Sequence, residues 1–440
     1  MTDVSPLNNS KVYFHTFGCK LNFAETSTVA GIFAEHGLLR AAVGDVPDIV
    51  VINTCSVTEV ADKKCRQAIH SFHKRFPQAA IVVTGCYAQL KHTDIIELPG
   101  VAVVAGNDKK DRLHEFLTRW KVEKERQEHV IPAKDIENFT PSCSRGDRTR
   151  YFLKVQDGCD YWCTYCTIPR ARGRSRSGTI EQIVSQAQQV SAQGGKEIVI
   201  TGVNIGDFGR RNGETFGNLV RALDEVDGIE RYRISSIEPN LLSDGIIDFC
   251  ASSKRFMPHF HIPLQCGSDT VLKLMRRRYD TALFRHKIER IRQVMPDAFI
   301  GVDLIVGARG ETDECFEESF NFCKELDISR LHVFVYSERP GTQALGLDGK
   351  VHPKVQRQRA NRMLSLSDDK LKEFSRRFIG SVRPVLLEHT KPGHPMSGFT
   401  DNYLKIEVDA PASLDNTIVD VRLDRLSDDG DFIHASVINR

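Results

Sequence analysis

Three runs, KVYFHTFGC, DIVVINTC and AAIVVTGC, restrict the fold of this chain more than any other feature. Each is short and β-rich, ends in cysteine, and gives way to a longer stretch with helical spacing such as EVADKKCRQAIHSFHKRF. Strands alternating with helices in this way build a parallel α/β sheet. Residues 1–125 are therefore expected to form an N-terminal α/β domain. In an open parallel sheet the carboxyl ends of the strands line one edge, where ligands bind. Cys19, Cys55 and Cys86 stand at those ends, and Gly18 and Gly85 beside two of them permit close backbone approach. Three cysteines gathered on one rim suit an iron-sulfur cluster with one iron left open. Three buried core cysteines fit the same positions.

Residues 126–145, within KVEKERQEHVIPAKDIENFTPSCSRGDR, carry charge and proline with little periodicity and are expected to be a linker. From 146 to 375, YFLKVQDGC, KEIVITGVN, RYRISSIEP, HFHIPLQCG, AFIGVDLIVG and RLHVFVYS read as strands with helices between them, the pattern of a full or partial (β/α) barrel. PKVQRQRANRMLSLSDDKLKEFSRRFIG reads as a charged helix leading out. Residues 376–440 hold short strand-like runs separated by Gly, Pro and Asp, which predicts a small β-barrel. The fold class is α/β throughout, apart from this tail.

The loop VQDGCDYWCTYCTIPRARGRSRSG sets Cys159, Cys163 and Cys166 at C-x3-C-x2-C spacing at the end of a predicted strand. Three thiolates in one tight loop suit the soft irons of a 4Fe-4S cluster and leave its fourth iron open. Structural zinc needs a fourth ligand, and none stands at a usual spacing. Twelve cysteines in a chain with the composition of a soluble globular protein, 40% hydrophobic and 27% charged, point to metal ligation rather than disulfides if the compartment is reducing. The opening MTDVSPLNNSKVYF lacks a basic segment followed by an apolar one, and no run of about 18 apolar residues occurs. A cytoplasmic protein without a membrane partner is the expectation. The formal charge is only +2, so a nucleic-acid partner would have to meet a local basic patch.

At CDYWCTYC the chain resembles the radical S-adenosylmethionine (SAM) enzymes. FHTFGCKLNFAET, VINTCSV, TGCYAQ, IPRARGRSRS, RISSIEP, HIPLQCGSDTVLKLMRRRY and YSERPGT resemble, in order, the motifs of the methylthiotransferase branch, from about residue 11 to the C-terminus. The resemblance implies two 4Fe-4S clusters, one on Cys159, Cys163 and Cys166 that binds and cleaves SAM, the other on Cys19, Cys55 and Cys86. It implies that one SAM methylates sulfur at the auxiliary cluster. A second yields a 5′-deoxyadenosyl radical that removes hydrogen from the carbon receiving the methylthio group. It further implies a partial TIM barrel, a C-terminal TRAM domain that binds RNA, and an electron donor such as flavodoxin or ferredoxin.

GCKLN resembles the bacterial enzymes acting on N6-threonylcarbamoyladenosine (t6A) in tRNA, at carbon 2 of the adenosine at position 37, just 3′ of the anticodon. Isopentenyladenosine in tRNA and a ribosomal protein are the targets of sister branches. A non-enzymatic iron-sulfur RNA-binding or electron-transfer protein is the alternative of another class.

The resemblance places Gly194, Gly195, Thr201 and Asn204 near the methionine and ribose groups of SAM. Trp162 and Tyr165 offer aromatic surface for its adenine, or ordinary loop packing. Ser236 and Glu238 alternate onto one strand face, where the carboxylate needs a partner in SAM or in a salt bridge. Arg170, Arg172, Arg174 and Arg176 are candidates for RNA phosphate, against a solvated surface run. Arg276, Arg277 and Arg278 are read as pairing within the barrel. His259 and His261 read as barrel-lining side chains rather than ligands. The acidic SDDGDF in the tail would suit a basic protein partner instead of RNA. Departures from the motifs of the methylthiotransferase family fall at Ala308 and Arg309 in GARGE, at Cys266, and at Val335 and Glu338 around YSERPGT.

Overall fold

IVVINT and AIVVTG are buried at every position. That explains their lack of polar alternation, because helices cover both faces of the sheet they form. The computed structural model describes residues 6–144, 149–391 and 393–438. Its first unit is an all-parallel sheet of β1 (Lys11–Thr16), β2 (Leu39–Arg40), β3 (Ile49–Thr54), β4 (Ala80–Gly85), β5 (Val101–Ala105) and β6 (Gln127–His129), in the order β2-β1-β3-β4-β5-β6. Val51 and Val82 pack on one face with Phe33 and Leu117. Ile52 and Val83 pack on the other with Ile69 and Tyr87. Each such fully buried side chain contributes about 1.5–3 kcal/mol relative to exposure.

The segment expected as a linker is built into both flanking units. β6 extends the sheet past residue 125, and β7 (Ser142–Cys143) pairs antiparallel with β8 (Arg150–Lys154). Gln89 Nε2 donates to the Ile131 carbonyl at 2.7 Å, and Arg176 Nε to that of Asn138 at 2.8 Å. Strands of two or three residues are too short to show a period, so the sequence pattern hides them. The expected boundary at 145/146 lies outside the described residues.

A short ribbon of β9 (Gln156–Asp157) and β10 (Arg176–Ser177) frames the cysteine loop. The barrel strands are β8, β11 (Glu197–Thr201), β12 (Arg231–Ile234), β13 (His259–Gln265), β14 (Phe299–Val306) and β15 (Arg330–Val335). They run parallel in two sheets, joined by parallel bridges at Tyr232–Phe256 and Ser236–His261, and so form a six-stranded partial barrel. Thr179, Thr215, Ser243, Asp280 and Thr312 cap its helices through their side chains. The helix Pro353–Arg376 then packs along β15.

The tail closes a separate barrel from β16 (Val382–Glu388), β17 (Met396–Thr400), β18 (Lys405–Val408), β19 (Ile418–Leu426) and β20 (Ile433–Val437), ordered β16-β17-β18-β20-β19. It seats on the amino end of the larger barrel. Arg233, buried and paired with Glu197 at 2.8 Å, donates to the carbonyls of Asp401 and Thr400, each at 2.7 Å. Among the described residues no helix is long and apolar enough to cross a membrane.

Candidate active site between two cysteine clusters

β1, β3 and β4 are neighbours in the sheet, so Cys19, Cys55 and Cys86 come off adjacent strand ends. Gly18 and Gly85 make this possible. A Cβ on Gly18 (φ +95°) would lie 2.9 Å from Cys55 Sγ, and one on Gly85 (φ +99°) 2.3 Å from the Thr54 carbonyl oxygen. Cys19 caps the helix Lys20–Glu35 and Cys86 opens the helix Cys86–Ile96, and neither helix has a side-chain cap. Both helices turn their electropositive amino ends toward the thiols, which suits anionic sulfur, although the Ala88 N–H is taken by Thr54 Oγ1 at 3.1 Å. Cys19 is exposed, whereas burial pushes the Cys55 thiol up to about 12. Ligation would have to displace that proton.

Beside these thiols lies a buried ion network. Glu25 pairs with Lys110, with Lys154 at 2.9 Å and with Arg172 at 2.9 Å. Asp157 pairs with Lys154 at 2.8 Å, Arg172 at 3.0 Å and Arg176 at 3.2 Å. Four cations thus share two carboxylates. Buried charge needs compensation, and Arg172, which interacts electrostatically with both Cys19 and Cys86, carries the excess toward the thiols. An anionic cluster held by deprotonated cysteines fits this surplus.

The network corrects the reading of the arginine run. Arg172 and Arg176 are 1% and 5% exposed, so they cannot reach RNA phosphate. Glu25 ties Arg172 to the N-terminal unit instead, and Asp157 of β9 holds both arginines beside the loop. Arg170 and Arg174 are exposed. Arg174 makes one loose contact to Asp160 at 3.4 Å.

Cys159, Cys163 and Cys166 follow β9 at the carboxyl end of the barrel, all three as free thiols. The Tyr161 N–H donates to Cys159 Sγ and the Ile168 N–H to Cys166 Sγ, both at 3.4 Å, and Arg277 Nη1 donates to Cys163 Sγ at 3.0 Å. Each sulfur accepts at least one hydrogen bond, which fits thiolate ligands of a cluster. Burial pushes all three thiols up, Cys166 to about 12. Among the described residues no three His, Cys, Asp or Glu side chains gather as around a single ion. A cubane presents its irons at separate corners and needs no such tight grouping.

Of the positions expected near SAM, Thr201 and Asn204 lie buried at or just past the carboxyl end of β11, and Asn204 Oδ1 has no partner among the described residues. That orphaned acceptor fits a ligand's donor. Ser236 and Glu238 are half-buried. Glu238 is paired with Arg277, so the salt-bridge alternative holds in this structure. Trp162 is 49% exposed at φ +53°, an uncommon conformation for a bulky residue, and is not packed within the loop. The Tyr165 hydroxyl lies 3.4 Å from Arg277 Nη1.

Gly194 and Gly195 require correction. They end the helix Ile180–Ala192 ahead of β11, at the opposite end of the barrel from the cysteines, and the Gly194 carbonyl accepts from Asn416 of the tail barrel at 3.1 Å. Their glycine character serves a helix stop and packing against Tyr151.

Sequence spacing did not single out the groups that complete the mouth. A cavity of about 240 Å³ is lined by Val57 and Thr58, just past Cys55, by Tyr165, next to Cys166, and by Gln265, Asp303 and Tyr336 of the barrel. Both cysteine loops therefore border one space. Asp303 shares a 2.7 Å hydrogen bond with His261, which stacks on His332. Arg339, in YSERPGT, holds the Cys55 loop through Ser56 Oγ at 2.7 Å and Asp62 Oδ2 at 2.6 Å.

Residues 11–106, with Cys19, Cys55 and Cys86, match the uncharacterized protein family UPF0004. Residues 153–323, which include the cysteine loop, match the radical SAM superfamily. Among solved structures the chain resembles the radical S-adenosylmethionine methyltransferase TsrM from Kitasatospora setae, with a TM-score of 0.56 and 14% identity over 74% of this chain and 72% of that one. That likeness shows the class of fold. Over 426 residues the chain is 38% identical to threonylcarbamoyladenosine tRNA methylthiotransferase MtaB of Bacillus subtilis (strain 168), covering 94% of this chain and 93% of the relative. It is 33% identical over 390 residues to tRNA-2-methylthio-N(6)-dimethylallyladenosine synthase of Thermobifida fusca (strain YX), covering 87% and 78%. The chain belongs to the radical SAM methylthiotransferases. It is a transferase whose cofactors are SAM and 4Fe-4S clusters, as the cysteine motifs led us to expect, and the non-enzymatic alternative is set aside.

Proposed function

We propose that this enzyme inserts a methylthio group at carbon 2 of t6A at position 37 of tRNA. The observation that carries the reading is the cavity bordered by both cysteine loops, because sulfur insertion needs the radical source and the sulfur donor to reach one substrate atom. GCKLN and the extent of likeness to the Bacillus subtilis relative support the t6A branch.

In this reading Cys159, Cys163 and Cys166 hold the SAM-binding cluster and Cys19, Cys55 and Cys86 the auxiliary one. When bound, the two clusters and SAM supply radical generation and the methylated sulfur. The chain's own groups position them. Arg277 donates to Cys163 and pairs with Glu238; Asn204, Thr201 and Ser236 face SAM, and Trp162 and Tyr165 offer ring surface to its adenine. The N-terminal unit and barrel form the catalytic body, and the tail barrel from about residue 376 serves as a TRAM domain. An enzyme acting on tRNA works in the cytoplasm, and the one-electron chemistry calls for a donor such as flavodoxin or ferredoxin.

Nucleoside mass spectrometry after anaerobic reaction with SAM, reductant and tRNA tests the branch. Methylthio-t6A from t6A-tRNA, with isopentenyladenosine-tRNA unchanged, is expected; the converse would move the enzyme to the branch of the Thermobifida relative.

Arg174, and Arg170 with the N–H groups beyond its 3.3 Å bond to the Pro340 carbonyl, are the members of the run that can meet phosphate. Arg170→Ala and Arg174→Ala are each expected to lower the slope of log K against log salt for tRNA by about 0.7–0.9, the value of one phosphate contact. Unchanged slopes in filter binding would remove RNA contact from this loop.

A further inference from the structure

Outside the 240 Å³ cavity lies a groove of about 520 Å³ that shares Thr58, Phe334, Val335, Tyr336 and Ser337 with it. Its outer wall is charged. Glu338 Oε1 accepts from Arg309 Nε at 2.9 Å and Nη2 at 2.6 Å, and its Oε2 from Lys350 at 3.0 Å. Arg309 Nη1 is anchored on the Leu347 carbonyl at 2.8 Å. Arg309 and Glu338 are two of the positions where this chain departs from the motifs of many methylthiotransferases, and here they pair with each other.

The triad carries one net positive charge and Glu59 also lines the groove, so a carboxylate would be met by Arg309 and Lys350 locally rather than by the charge of the whole groove. Holding the guanidinium flat against Glu338 and Leu347 leaves two of its five N–H groups for a ligand. Lys350, 60% exposed at its side chain, can turn its ammonium into the groove. Val60, Phe334 and Val335 supply an apolar patch beside these cations. An anchored guanidinium, an exposed ammonium and a small apolar patch match a carboxylate attached to a short aliphatic stem. They match a prenyl chain poorly, since covering the triad with hydrocarbon strips water from charged groups and returns no hydrogen bond.

We propose that Arg309 and Lys350 form a subsite that reads the carboxylate of the substituent on N6 of the substrate base, with Glu338 as the positioning residue that presents Arg309. This rests on the t6A reading above and names the groups that separate t6A from an uncharged N6 substituent.

The test uses reconstituted full-length enzyme and three anticodon stem-loop RNAs carrying t6A, the primary amide of its threonine carboxyl, or isopentenyladenosine. Binding is measured by fluorescence anisotropy without reductant, and methylthiolation is measured under turnover. The wild type is expected to favour the acid over the amide by about tenfold or more in Kd and in kcat/KM, because the amide keeps the shape and loses the charge, and charge-assisted hydrogen bonds are roughly twice as strong as neutral ones. Arg309→Met is expected to bring the acid-to-amide ratio close to one, and Lys350→Met to lower it part of the way. The ratio is unaffected by any loss of folded enzyme, and Lys350 is exposed enough to be changed without disturbing packing. Equal handling of acid and amide by the wild type, or a ratio undiminished in both variants, overturns the subsite while leaving methylthiolation of t6A intact. Conversion of the isopentenyl loop alone by the wild type overturns the substrate reading, and the subsite with it.

Discussion

Cys163→Ala is expected to bring 5′-deoxyadenosine formation to background, whereas Cys86→Ala is expected to retain SAM cleavage and lose all methylthio product. The two cysteines belong to different elements, one in the barrel's cysteine loop and one in the N-terminal sheet unit. Cys163 sits in the loop after β9, where Arg277 donates to its sulfur at 3.0 Å. Cys86 opens a helix of the N-terminal sheet, next to Cys19 and Cys55. Each substitution removes one of three thiolates around one cluster, so iron content after anaerobic reconstitution should fall by one cluster in either variant. Product chromatography and iron analysis check this together. Methylthio product from either variant would refute the division of roles.

Glu25→Gln is expected to destabilise the protein by about 3–5 kcal/mol, the range for breaking a buried ion pair from one side. Glu25 is 2% exposed and faces Lys110, Lys154 and Arg172. Its replacement leaves Asp157 as the one carboxylate among four cations. Arg174→Met, at a side chain 66% exposed, should change stability by no more than about 0.5 kcal/mol. The effect has a pH signature. Burial alone would raise the Glu25 carboxyl, but Arg172, Lys110 and Lys154 outweigh it and hold the group far below its ordinary 4.5. A carboxyl depressed by folding stabilises the native state above its unfolded pKa, and that stability is lost as pH falls toward the folded value. The gap between wild type and Glu25→Gln should therefore be full at pH 7 and narrow below about pH 4.5. Urea midpoints across that range measure it, and a gap independent of pH would show that charge is not the cause.

The parts of the fold that sequence revealed are those whose burial leaves a local pattern. β3 and β4 are continuous apolar runs because both their faces are covered, and their terminal cysteines fall on one rim because parallel strands point the same way. β2, β6 and β7, of two or three residues, leave no period, and Ser and Gly dilute the pattern of β17. The cysteine loop was legible because its ligands are neighbours in sequence. Its arginines were not, because their partner Glu25 is 147 residues from Arg172 and charge alone does not tell a buried strut from an exposed contact. For Gly194 and Gly195 a signal existed. They precede their strand, and ligands gather where barrel strands end. Arg277 sits in an arginine triplet where nothing local marks the middle side chain as the one that turns inward to Cys163 and Glu238.

The central claim is that two sulfur-ligated centres serve one substrate atom in one cavity. It is tested most directly with t6A-tRNA deuterated at carbon 2 of the modified adenosine, reacted anaerobically with SAM and reductant and analysed by mass spectrometry. The account predicts one deuterium in 5′-deoxyadenosine for each methylthio group gained by the nucleoside. Methylthio product without transfer of the label, or deoxyadenosine formed at full rate and never labelled, would contradict it.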